Sequence, residues 1–131
     1  MQGFEFSCPT KIVCGAHALD KLPDEVADRG MKHPLVMTDA GLVKLGVAAK
    51  LTGVLDAADV PYEVFDQVPP DSSMDVVNEV ARLYADRGCD GFVAIGGGSV
   101  IDTTKGAAAS LACEGVDFAT LQGSEILKAD L

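Results

Sequence analysis

The sequence predicts an α/β domain, a parallel sheet covered by helices on both faces, and three observations predict it. Apolar runs of strand length occur at 34–37 and 92–95 and an alternating one at 62–65, with segments of helical apolar spacing between them. Apolar residues make up 48% of the chain, aromatics only 5%, and Trp is absent, as expected of aliphatic strands packed on Ala-rich helices. Three consecutive glycines, Gly96-Gly97-Gly98, separate the last run from the last helical segment. They mark a tight strand-to-helix turn of the kind that carries ligands in such sheets.

In chain order, residues 4–14 alternate loosely around Pro9 and read as an edge strand or irregular hairpin, with Lys11-Ile12-Val13-Cys14 its clearest strand. Gly15 ends it. Leu19, Leu22, Val26 and Ala27 recur at helical spacing from Ala18, and Gly30 supplies the stop. Pro34-Leu35-Val36-Met37 predicts a buried strand closed by Thr38-Asp39-Ala40-Gly41. Val47, Ala48, Leu51, Val54, Leu55 and Ala58 mark a helix face behind Gly46, and Tyr62-Glu63-Val64-Phe65 predicts a further strand opened by Pro61. Pro69-Pro70-Asp71-Ser72-Ser73 reads as a stiff loop ending in helix caps. Val76, Val77, Val80, Ala81 and Tyr84 then carry a helix to Gly88. Phe92-Val93-Ala94-Ile95 predicts the central strand. Beyond the glycines a helix of small residues runs over 100–112, bare enough at 106–109 to lie close on the sheet. Residues 116–121 read as a short helix and 124–131 as a connection.

Length and charge narrow the function. At 131 residues the chain is large enough for one core without staples or metals. A formal charge of −10 argues against nucleic acid and anionic membrane surfaces as partners, since both require a cationic face. No apolar run approaches the roughly 20 residues that cross a bilayer. Cys8, Cys14, Cys89 and Cys113 are scattered, without a C-x-x-C pair, which points to a reduced, cytoplasmic setting. His17 and His33 are the only imidazoles, and neither sits in a metal-ligand spacing.

A phosphate site in so acidic a chain must be made locally from main-chain amides, and the glycine turn offers them. Consecutive glycines permit positive φ and remove every Cβ, and the helix that follows presents unpaired N–H groups and the positive end of its dipole. Ser99 and Asp102 have the spacing of a capping box. The contiguous glycines do not match G-x-G-x-x-G. Thr38-Asp39, Asp71-Ser72 and the stretch 96–99 all put polar groups at the carboxyl ends of predicted strands, where parallel sheets bind ligands. Asp39 has two readings. It accepts hydrogen bonds from an adenosine ribose and repels a 2′-phosphate, favouring NAD over NADP, or it caps the turn at 42–44. Asp71 and Lys105 likewise serve a ligand or simply face water.

Pro9-Thr10-Lys11-Ile12-Val13 with Gly15, Val36-Met37-Thr38-Asp39 with Gly41-Leu42-Val43-Lys44-Leu45-Gly46, and Gly96-Gly97-Gly98-Ser99 with Asp102 and Lys105 form a recognisable series. Over nearly the whole chain it resembles the N-terminal half of the iron-containing (group III) alcohol dehydrogenases. The resemblance implies a Rossmann-like NAD(P)-binding domain of the dehydroquinate-synthase-like type at 1–131, and metal-assisted hydride transfer between an alcohol and its aldehyde or ketone. Gly97, Gly98 and Ser99 would meet the pyrophosphate and Asp39 the ribose, with Asp102 carried over beside them. Asp71 stands where the family often has the Asn of Pro-Asn-Pro, and Cys14 where an aromatic is more usual. The family's Fe2+ or other divalent metal is held by one Asp and three His on an all-helical domain, which would follow Leu131 with a nicotinamide loop. No catalytic or metal-binding residue is therefore expected in this chain, which should be inactive alone and should self-associate as a homo-oligomer. Two alternatives are a glycerol-dehydrogenase-like or dehydroquinate-synthase-like domain, in which Lys more often follows the glycines, and a nucleotide-binding module without chemistry.

Overall fold

The computed structural model describes residues 10–113 and 117–120. After a 3-10 turn at Ala18–Lys21, its elements run α1 Leu22–Asp28, β1 Pro34–Met37, α2 Ala40–Lys44, α3 Val47–Ala57, β2 Glu63–Phe65, α4 Met74–Arg87, β3 Gly91–Ala94 and α5 Gly98–Ala112. A second 3-10 turn, Phe118–Thr120, lies within the stretch read as a short helix. The three strands are parallel, in the order β2-β1-β3. Among the described strands the path therefore begins at the centre, moves to one edge, and crosses back to the other. Right-handed crossovers taken in opposite directions leave their helices on opposite faces.

The core follows from that path. Along β1, all four residues of which are buried, Leu35 and Met37 pack with Phe65, Val80 of α4, and Val100 and Ala107 of α5. Val36, pointing the other way as strand alternation requires, packs with Val26 of α1, Leu51 and Leu55 of α3, and Val93 of β3. Tyr84 stacks on Phe92 with ring centroids 4.7 Å apart, joining α4 to β3. At the amino end of the sheet, Asp90 accepts hydrogen bonds from the main-chain amides of Lys32 and His33 at 2.7 and 2.8 Å. Burial raises its carboxyl pKa, but those amides outweigh it and hold the group below its ordinary value.

One predicted strand does not form. Lys11-Ile12-Val13-Cys14 is irregular, with Ile12 84% exposed, and no described strand lies beside it to take its hydrogen bonds. It is tied instead to α1 through the Lys11 ammonium and the Glu25 carboxylate, which also pairs with Arg29. Residues 4–9 of that expectation, and the connection at 124–131, lie outside the described residues.

Helix ends agree closely with the glycine signals. Past α1 and α4, Gly30 and Gly88 adopt φ of 70° and 64°, and the next amide reaches back to Val26 and Tyr84 respectively, the Schellman arrangement. α3 ends in the same way with a non-glycine residue: Asp59 takes φ 54° while Val60 donates to the Leu55 carbonyl at 3.0 Å. Asp59→Gly removes the left-handed strain on an L side chain, and we expect it to raise the unfolding free energy by about 0.5 kcal/mol, measured as an upward shift of the urea midpoint.

Candidate functional site

The reversal of strand order between β1 and β3 opens a crevice beyond their carboxyl ends, the usual ligand position in a parallel sheet. Three connections line it. Asp39, Ala40 and Gly41 follow β1, Val68, Pro69 and Pro70 follow β2, and Gly97, Gly98, Ser99 and Val100 follow β3. The cleft measures about 450 Å³, within the usual range for small-molecule sites.

The three glycines serve different ends. None has a positive φ, contrary to the freedom expected of them. A Cβ on Gly96 would lie 2.5 Å from Val100 Cγ2, so this glycine is required by the protein's own packing. A Cβ on Gly97 or Gly98 would meet nothing within 4 Å. Neither backbone angle nor internal packing demands glycine at these two positions. What remains is an open cradle that side chains would fill.

Main-chain donors face that cradle. α5 begins at Gly98 with Gly97 as its N-cap, so the Gly98 and Ser99 amides precede the first intrahelical bond, which Ile101 makes to the Gly97 carbonyl at 3.1 Å. Among the described residues, the Gly97, Gly98 and Ser99 amides have no protein acceptor. A 15-residue helix adds the positive end of its dipole at the same point. The expected capping box does not form: the helix starts two residues early, with Gly97 as its N-cap, placing Ser99 inside its first turn. The Ser99 hydroxyl instead donates to the Pro70 carbonyl.

Asp39 lies across the cleft, partly buried, as the N-cap of α2. Its Oδ1 accepts from the Leu42 amide at 2.9 Å, leaving the second carboxylate oxygen uncommitted among the described residues. A Cβ on Gly41 would stand 2.9 Å from that Oδ1, so the glycine keeps room for the carboxylate. The capping reading is thus realised, and the residue still lines the cleft. Just before it, Thr38 is fully buried, its hydroxyl without a hydrogen-bond partner in the described structure.

The structure brings Asp39, Gly97, Gly98 and Ser99 together around one cleft. Asp71 and Asp102 are exposed and line none of it, and Lys105 is also exposed. Asp71 follows Pro70, which does line the cleft, and Asp102 follows Ile101, itself 40% exposed. Residue types alone single out Ser72, beside Asp71, but not Gly41, Pro70 or Thr103. Of these three, Thr103 carries a sequence signal, since it lies one helical turn after Ser99.

A second hollow, of about 340 Å³, lies between α4 and α5 near Asn78, Arg82, Ser110 and Asp117, remote from the strand ends. Among the described residues, no three His, Cys, Asp or Glu side chains converge to hold a metal ion, so the described part of the chain does not fit an iron site. No described helix is long and apolar enough to cross a membrane.

Fold and cleft together define a doubly wound α/β domain with an amide-lined crevice at its switch point. The chain belongs to the iron-containing alcohol dehydrogenase family, whose model matches residues 9–129. It is 36% identical over 131 residues to choline dehydrogenase of Bacillus subtilis, covering 98% of this chain and 33% of that protein. It is 42% identical over 91 residues to lactaldehyde reductase of Escherichia coli K12, covering 70% of this chain and 24% of the reductase. The NADH-dependent butanol dehydrogenase A of Thermotoga maritima superposes with a TM-score of 0.85 at 29% identity, over 98% of this chain and 33% of its own. The chain thus spans a quarter to a third of the length of these proteins.

Proposed function

We propose that residues 1–131 form the NAD(P)-binding domain of a longer oxidoreductase that interconverts an alcohol and its aldehyde or ketone, with NAD preferred. The observation that carries this is the cradle at Gly97 and Gly98, open where Cβ atoms would stand and faced by uncommitted amides at a helix N-terminus. A pyrophosphate matches those donors in charge and number. The Gly97, Gly98 and Ser99 amides hold it, and Asp39 receives the adenosine ribose across the cleft. When bound, the nicotinamide ring supplies or accepts the hydride. This chain's residues bind and orient the other end of the dinucleotide. In this reading Asp71 and Asp102 stay in solvent, outside the contacts first expected of them.

Family membership supports metal assistance in the full-length enzyme, from Fe2+ or another divalent ion held by residues other than those described. The scattered cysteines support a cytoplasmic setting, and the names of relatives such as lactaldehyde reductase support a small alcohol or aldehyde as substrate; a homo-oligomer is part of the same proposal. NADH at about one hundred times its Kd should stabilise the chain by about 2.7 kcal/mol in a thermal or urea unfolding experiment, while alcohol turnover stays at background. An unchanged unfolding curve in saturating NADH refutes the cofactor assignment.

A further inference from the structure

We propose that Ser72 and Thr103 are positioning residues, their hydroxyl pair fastening the 69–72 loop to α5 and so setting the width of the cofactor cleft. This rests on the dinucleotide reading above and adds two residues to it. The hydroxyls lie 2.8 Å apart, with Thr103 fully buried and Ser72 on the exposed side of the loop. One turn earlier on the same face of α5, the Ser99 hydroxyl bonds the Pro70 carbonyl. The loop is therefore held at two points along the helix.

The neighbouring threonine shows that Thr103 is used unusually. Thr104 returns its hydroxyl to the Val100 carbonyl at 2.7 Å, the ordinary habit of a helical threonine. Thr103 instead reaches across to another segment. Ser72 is likewise spared from capping, because α4 is capped by Ser73, whose hydroxyl accepts from the Val76 amide. On its other side the loop is pinned to the residue that follows β1, with the Val68 amide donating to the Thr38 carbonyl at 3.4 Å. Pro69 and Pro70 form one wall of the cleft, while Ser72 and Thr103 line none of it. Any effect of these two on binding must act through the position of that wall.

NADH titrations by fluorescence, run beside melting curves, test this on the whole chain. Ser72→Ala and Thr103→Val should each weaken NADH binding about three- to tenfold, the range of one net hydrogen bond. The double variant should be no weaker than the worse single one, the signature of a shared contact. Thr103→Ser should stay within about twofold of the parent, and Ser72→Ala should melt within about 2 °C of it, as surface changes usually do. Parent-like affinity in Ser72→Ala, additive losses in the double variant, or a Thr103→Ser chain as weak as Thr103→Val would each overturn the proposal. A parent chain that fails to bind NADH removes the dinucleotide reading itself, and this one with it.

Discussion

Gly98→Val should abolish measurable NADH binding while leaving the fold as stable as before. The two effects separate because Gly98 opens α5 without a positive φ and a Cβ there meets nothing within 4 Å. Valine is no worse than glycine in helix propensity, so unfolding free energy should stay level or rise slightly. The added methyl groups occupy the cradle and keep a phosphate from the neighbouring amides. Two lost hydrogen bonds to a charged group amount to about 3 kcal/mol or more, at least about a hundredfold in Kd. Gly96→Val is the contrasting case: its Cβ would collide with Val100, so stability and binding fall together. Isothermal titration with NADH and urea unfolding of both variants distinguish the outcomes. A Gly98→Val chain that binds NADH like its parent shows that the dinucleotide sits elsewhere.

Much of this was legible because the signals are local and redundant. β1 needs four apolar residues in a row, and the sequence supplies them at the bounds observed. Gly30 and Gly88 supply the left-handed residue that stops α1 and α4, so punctuation alone places those two ends, whereas Asp59 fills that role past α3 with no such signal. Lys11-Ile12-Val13-Cys14 shows the opposite case: β-branched composition describes a residue's suitability for a pleated surface, and no described strand is placed to receive it. The glycine turn was located correctly, but for a reason only partly right. Sequence shows that Cβ atoms are missing without showing what would have met them, and coordinates separate Gly96, which yields to Val100, from Gly97 and Gly98, which yield to open space. Ser99 does not act as the cap its spacing suggests, because a shift of two residues in the helix start changes which atoms its hydroxyl can reach. The Ser72 and Thr103 pair joins positions 31 apart and could not be seen before the fold was known.

Asp39→Gly should reverse or erase the preference for NAD over NADP by at least about tenfold, with little cost to the fold. Glycine is the informative replacement because it is itself an acceptable N-cap. Loss of the bond to Leu42 then costs only a few tenths of a kcal/mol, where alanine would cost about 1. The carboxylate acts on the cofactor in two opposite ways. It accepts hydrogen bonds from the ribose hydroxyls, worth about 1.5–3 kcal/mol for a charged acceptor. It also repels a 2′-phosphate, since two like unit charges 4 Å apart near a protein surface cost about 4 kcal/mol. Removing it weakens NADH and strengthens NADPH, and the ratio moves by the product of the two changes. Asp39→Asn divides them, since its amide oxygen still caps Leu42 while its NH2 group, a neutral donor, takes the place of the oxygen that faces the ribose. NADPH affinity should therefore rise in both variants, whereas NADH affinity should fall further in Asp39→Gly than in Asp39→Asn. Parallel titrations with both dinucleotides provide the four ratios. Equal NADPH affinity in the parent and both variants would place the ribose away from Asp39, leaving the residue only its hold on α2.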